Sequence, residues 1–168
     1  MTNRIRQALK KVIPYPLHVF FSHPPRSDAR RDNVRWDRTR FDIGKHLYLE
    51  AYWKIYGVGK GPALALNAHG YEILLFDCYG PGAGHAHIKV MQWRPDTVEY
   101  YMLREQGTIE QIDRAIFEIE HNLDWYLQRH PLSRIRKLRA DAELLQSVLP
   151  EVRKLLIEYK KRVEGTKA

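Results

Sequence analysis

The chain has 168 residues and one cysteine, Cys78, so it holds no internal disulfide, and this usage fits a reducing compartment. It has no apolar run approaching the ~20 residues that a membrane-spanning helix needs. The first residues lack the apolar core of a signal peptide: Lys10 and Lys11 interrupt it, and Pro14 and Pro16 follow. The expectation is a cytoplasmic protein without a membrane partner. No Gly-x-Ser-x-Gly elbow occurs, no Walker Lys-Ser/Thr follows a glycine loop, and no repeat or low-complexity tract is present. Serine-elbow hydrolases and P-loop nucleotide enzymes are thereby set aside. One domain is expected over 1–168, because chains of about this length commonly bury a single core without staples.

Acids are the scarcer charged residues, 20 against 28 Lys and Arg, for a net charge of +8. The excess is uneven. Residues 1–40 carry ten Lys/Arg against three acids and residues 129–168 carry eleven against five, whereas 41–128 carry seven against twelve. Basic ends around an acidic middle fit a polyanion partner, RNA or DNA, or a solvated surface with no specific partner.

Helical spacing at Ile5, Leu9, Val12 and Ile13 predicts a short helix over 3–13, which Pro14 and Pro16 end. With the arginine-rich segment that follows, it makes a basic helix and arm over 1–45, anchored at Trp36 and Phe41. The stretch 46–103 reads as an antiparallel sheet of four to five strands. From His46 to Tyr56 apolar and polar residues alternate, with Leu47, Leu49, Ala51, Trp53 and Ile55 on one face. Ala63–Leu66, Tyr71–Cys78 and His85–Met91 follow, with a fifth strand within 92–103. Asn67-Ala68-His69-Gly70 has the composition of a hairpin turn. Thr108 to Gln111 has the form of a capping box opening a helix that His130-Pro131 stops. A second apolar stripe runs through Ile135, Leu138, Ala142, Leu145, Leu149, Val152, Leu156, Tyr159 and Val163 in heptad steps, with Pro150 expected to kink the helix or start a new one. Residues 108–165 are therefore expected to form an antiparallel helical hairpin, and the fold class is α+β. Its seam from 135 to 163 offers a homodimer surface, and a non-enzymatic assembly protein is one functional reading.

The chemistry concentrates in residues 71–88. An apolar strand ends at Asp77. The loop Gly80-Pro81-Gly82-Ala83-Gly84 follows, and the next strand opens with His85 and His87. Residues two apart on a strand project from one face, so the two imidazoles form a pair. Asp77 joins them only if the loop sets the register so. Glu72, by the same alternation, lies opposite Asp77. One acid and two imidazoles can hold Zn²⁺, Mn²⁺ or Fe²⁺, with His85 and His87 as ligands and a fourth from His46, His69 or Glu72. They can equally act as acid and base on a phosphodiester, His85 and His87 catalysing and Asp77 orienting. A plain polar sheet edge, with Asp77 capping the loop, has the same composition. Nucleic-acid contacts are expected from Arg30, Arg31, Arg35 and Arg38 of the arm, from Tyr48, Tyr52 and Lys54 on the outer face of the first strand, and from Arg136, Lys137 and Arg139. Cys78 shares the side of Leu74 and Phe76 and should be buried.

Phe76-Asp77, the Gly/Pro loop and His85-x-His87, followed by a helix over 108–130, resemble small bacterial proteins that include TumE-like toxins of toxin–antitoxin pairs. The resemblance implies an intracellular bacterial protein that cleaves or otherwise acts on RNA, or one held in check by a protein antitoxin. It implies no catalytic mechanism.

Overall fold

A computed structural model describes residues 33–56, 59–88 and 98–165. The expected helix 3–13, the arm up to residue 32 with Arg30 and Arg31, and residues 89–97 lie outside the described residues. Six strands, β1 (Asn33–Gly44), β2 (Leu47–Tyr56), β3 (Gly59–Ala68), β4 (Tyr71–Asp77), β5 (His85–Ile88) and β6 (Glu99–Met102), form one antiparallel meander in chain order. Three helices follow: α1 (Thr108–Arg129), the single-turn α2 (Ser133–Arg136) and α3 (Ala142–Gly165). The class is α+β, as expected, but the sheet has six strands rather than four or five.

The additional strand is β1, which the sequence assigns to the arm. Its arginines break no hydrogen bonds, because they stand on the polar face and at a sheet edge, where charge is favoured over apolar side chains. Register shifts between Trp36 and Thr39 and between Asp42 and Gly44 interrupt its alternation, and Asp37 adopts φ of 53° at the first of them. Phe41 packs against the core as expected, whereas Trp36 is half exposed. The β3–β4 turn is His69-Gly70, both at positive φ (51° and 77°), the two-residue geometry that suits the twist of a hairpin.

One face of the sheet carries Leu47, Leu49, Ala51, Trp53, Leu64, Leu66, Leu74, Phe76, Cys78, Ala86 and Ile88, all buried against α1 and α3. The alternation of β2 selects that face directly. In α1 the inward residues are Ile112, Ala115, Ile119, Leu123, Tyr126 and Leu127, whereas Ile109 in its first turn is exposed. The heptad residues Leu145, Leu149, Val152, Leu156 and Tyr159 of α3 are buried in this same core, with α3 lying on β1, β2 and β3 and against α1. Over residues 145–159 the heptad stripe thus packs within the chain. The expected two-helix hairpin is interrupted: α2 ends at Arg136, and α3 restarts at an Asp141 cap whose carboxylate accepts from the Leu144 amide at 3.1 Å. The Asp141 amide itself donates to Ile43, tying this cap to β1. α3 runs on through Pro150, its packing outweighing the lost hydrogen bond. Among the described residues no helix is long and apolar enough to cross a membrane.

Candidate functional site

The other face of the sheet holds the chemistry. Its floor is β3, where Gly61, Ala63 and Ala65 stand beneath the long side chains of β2 and β4. Tyr52, Ala63, Asp77, His85 and Met102 form one row across five strands, and Glu50, Ala65, Leu75, His87 and Tyr100 form the next. Because the β3 residues are small, side chains two strands apart meet above them. A Cβ at Gly61 would lie 2.6 Å from the Cys78 carbonyl, so that position admits glycine alone without a shift of the backbone.

The register pairs Asp77 directly with His85, and Asp77 therefore does face the histidines. The Oδ2 atom of Asp77 accepts from Lys54 Nζ at 2.6 Å and stands 3.1 Å from His85 Nε2 and 3.6 Å from His87 Nε2. The carboxylate is completely buried. Burial alone would raise its pKa, but the adjoining His85 and His87 rings and the Lys54 ammonium outweigh that and hold it far below the usual carboxylate range. Asp77 does not cap the glycine loop: its Oδ2 is turned to side chains, and its Oδ1 accepts no hydrogen bond among the described residues. The Nδ1 atom of His85 lies 2.7 Å from the Ala83 carbonyl. Two aromatic rings close the site: Tyr79 stands edge-on to His85 at 5.5 Å, and Tyr100 lies 4.8 Å from His85 and 5.1 Å from His87. Burial and the Asp77 charge both raise the pKa of Tyr79. Among the described residues, the least buried side of the site is that of His87, Tyr100 and Met102.

Glu72 is on this same face, contrary to simple alternation. Between β3 and β4 the register slips after Leu66, which leaves Ile73 as an extra residue and sends it to the helix-side core. Glu72 then meets Arg35 at 2.6 Å and the Tyr52 hydroxyl at 3.4 Å. It is committed there and does not supply a fourth ligand. His46 and His69 do not either: their rings stack at 4.6 Å at the turns, the opposite end of β4 from Asp77. Among the described residues, Asp77, His85 and His87 are the one group with metal-ligating atoms gathered within 4.8 Å.

The residues expected to hold nucleic acid separate into two sets. Arg35, Tyr52 and Lys54 are buried in the polar cluster, so they do not form a stacking or phosphate platform. Arg38 pairs with Glu50 at 2.9 Å, and half-buried Tyr48 lies under the Arg40 guanidinium at 3.8 Å. Arg136, Lys137 and Arg139 are exposed around α2, although Arg136 donates to the His130 and Pro131 carbonyls and Arg139 to those of Arg136 and Leu138. Cys78 is buried, and burial raises its thiol pKa out of the reactive range.

Two participants escape a local reading. Lys54 becomes the counter-ion of Asp77 because Gly61 and Ala63 lie between them. The period-two run of small residues Gly59, Gly61, Ala63 and Ala65 is the sequence signal for that crossing. Gln111 is the other. The helix N-cap is Gly107, not Thr108, and the Glu110 carboxylate folds back against it. The Gln111 side chain instead reaches the glycine loop, accepting from the Gly80 amide at 2.9 Å and donating to the Gly80 carbonyl at 2.9 Å and the Glu105 carbonyl at 2.8 Å. Comparison with protein-family models, with curated proteins and with solved structures finds no match for this chain.

Proposed function

We propose that Asp77, His85 and His87 hold a divalent transition metal, and that the chain is a metal-dependent enzyme whose substrate enters past His87 and Tyr100. The observation that carries this reading is the 2.7 Å contact between His85 Nδ1 and the Ala83 carbonyl. The Ala83 carbonyl can only accept, so Nδ1 bears the hydrogen. In the neutral ring Nε2 is then a lone pair, 3.1 Å from a carboxylate oxygen. Two electron pairs so placed repel unless a cation lies between them. A backbone carbonyl on the far nitrogen is also the usual means of orienting a metal-bound histidine. His87 Nε2 is buried without a hydrogen-bond partner among the described residues, and a bound ion would give it a partner. Ligand atoms around an ion bonded at ~2.0–2.2 Å stand roughly 3.0–3.5 Å apart, close to the 3.1 and 3.6 Å found. Two imidazoles and one carboxylate suit Zn²⁺, Fe²⁺ or Mn²⁺ and leave positions for water or substrate. A metal so held would polarise a bound water or substrate oxygen.

The test is a thermal melt of chelator-stripped protein with each of these ions added. At about 100 times Kd, binding adds ~2.7 kcal/mol to stability, which for a chain of this size raises Tm by on the order of 5–10 °C. His85→Ala and His87→Ala should each abolish the rise. No rise with any of the three ions overturns the reading.

Lys54 favours a second reading. Its ammonium already neutralises Asp77, so a protonated His85 can donate from both nitrogens without a metal. His85 and His87 then serve as acid and base on RNA, with the exposed Arg136, Lys137 and Arg139 holding phosphates, in line with the likeness to TumE-like toxins. On this reading RNA cleavage survives chelation, and His87→Ala abolishes cleavage while leaving RNA binding nearly unchanged. Equal losses of binding and cleavage exclude it.

A further inference from the structure

The geometry points to Gln111 as a positioning residue for His85, acting from the first turn of α1 through the glycine loop. The inference rests on the reading of Asp77, His85 and His87 as the functional centre. Gln111 is fully buried although its side chain is polar, and its amide grips Gly80 on both backbone groups, as a strand would. The gripped Gly80 carbonyl is the centre of the loop. It also accepts from the Ala83 amide at 3.2 Å and the Gly84 amide at 3.1 Å, which closes the turn. The closed turn presents the Ala83 carbonyl to His85 Nδ1 at 2.7 Å, and that bond turns Nε2 toward Asp77. Every link is made of hydrogen bonds, so the orientation of His85 depends on an amide that touches neither histidine.

Gly84 belongs to the same device. A Cβ there would overlap the Gln111 amide itself, oxygen, carbon and nitrogen alike. Its φ is not in the left-handed region, so alanine meets no backbone penalty at Gly84, and the collision with Gln111 is what the glycine avoids. The glycine is thus explained by the amide it accommodates. The loop glycines with positive φ, Gly80 and Gly82, serve the turn instead.

The experiment uses Gln111→Met, which keeps length and volume but removes the hydrogen bonds, and Gly84→Ala, which expels the amide by a different route. The first readout is the ¹⁵N spectrum of the metal-free protein, in which the Nδ1 and Nε2 hydrogens of His85 are distinguished. Wild type should show one Nδ1–H tautomer in slow exchange. Both variants should show mixed tautomers, with exchange of that hydrogen about tenfold faster. The second readout is Zn²⁺ affinity, expected to fall by about tenfold, the lower end for loss of a group that orients a metal-bound histidine. The double variant should be no worse than Gln111→Met alone, because both changes remove one interaction. A lowered Tm with an unchanged His85 spectrum makes Gln111 merely structural, and additive losses in the double variant refute the shared device. If Gln111→Met does not fold, Gly84→Ala decides by the same two readouts. If wild type binds no Zn²⁺, the metal reading fails, while the tautomer readout still decides the role of Gln111.

Discussion

Replacing Asp77 by alanine should cost the fold about 3–5 kcal/mol, the loss expected when one partner of a buried ion pair is removed and the other is stranded. The stranded group is Lys54, whose side chain is only 5% exposed. In a chain of this size the loss corresponds to a fall in Tm on the order of 10 °C. Removing both charges in Asp77→Ala/Lys54→Met should recover much of it, because the penalty lies in the uncompensated ammonium rather than in the absence of the bond. Chemical denaturation of the two single variants and the double measures the coupling. A loss below about 1 kcal/mol in Asp77→Ala would mean that Lys54 escapes to water and that the pair is not held as described.

The same residue sets the acid limb of the stability curve. The folded-state pKa of Asp77 lies far below the ~3.9 of an unfolded aspartate. Its contribution is therefore full above about pH 5 and drains away as pH falls below ~4, where the unfolded chain takes up a proton and the folded chain does not. Asp77→Asn removes that proton-linked term, so its stability should fall less steeply between about pH 4 and 2 than that of wild type.

The parts of this arrangement were unequally legible from sequence. The alternation from Leu47 to Ile55 and the spacing of His85 and His87 are period-two signals, and a strand offers little room to misread them. β1 carries its information in charge instead. Arg35 and Arg38 look like a solvated arm until Glu72 and Glu50 are brought opposite them by pairing across strands. Glu72 fell on the wrong face because Ile73 adds one residue to β4, and nothing local distinguishes a bulged isoleucine from one in register. Gln111 fitted a capping box because Thr108 precedes it by three. The choice of Gly107 as cap, one residue earlier, freed its amide for a loop 31 positions away. In each case the misreading came from a local pattern that a distant partner overrode.

Lys54→Met should strengthen metal binding by at least about tenfold, or ~1.4 kcal/mol. The ammonium and the ion compete for one atom, since Lys54 Nζ lies 2.6 Å from the same Asp77 oxygen that stands beside both histidines. At an effective dielectric near 20, a unit charge about 4 Å from a divalent ion costs several kcal/mol. Wild type must bear that repulsion or displace a buried ammonium, and this is the penalty that the variant removes. The prediction runs against the usual expectation that removing a charged residue from a site impairs it. Competition titrations against a chelator, with wild type and Lys54→Met side by side, measure it directly. Under the metal-free reading the outcome reverses in kind. Lys54 then keeps Asp77 ionised beside the imidazoles, neither protein takes up metal, and Lys54→Met loses RNA cleavage instead. A single substitution at the residue bonded to Asp77 thus separates a metal centre from an acid–base pair.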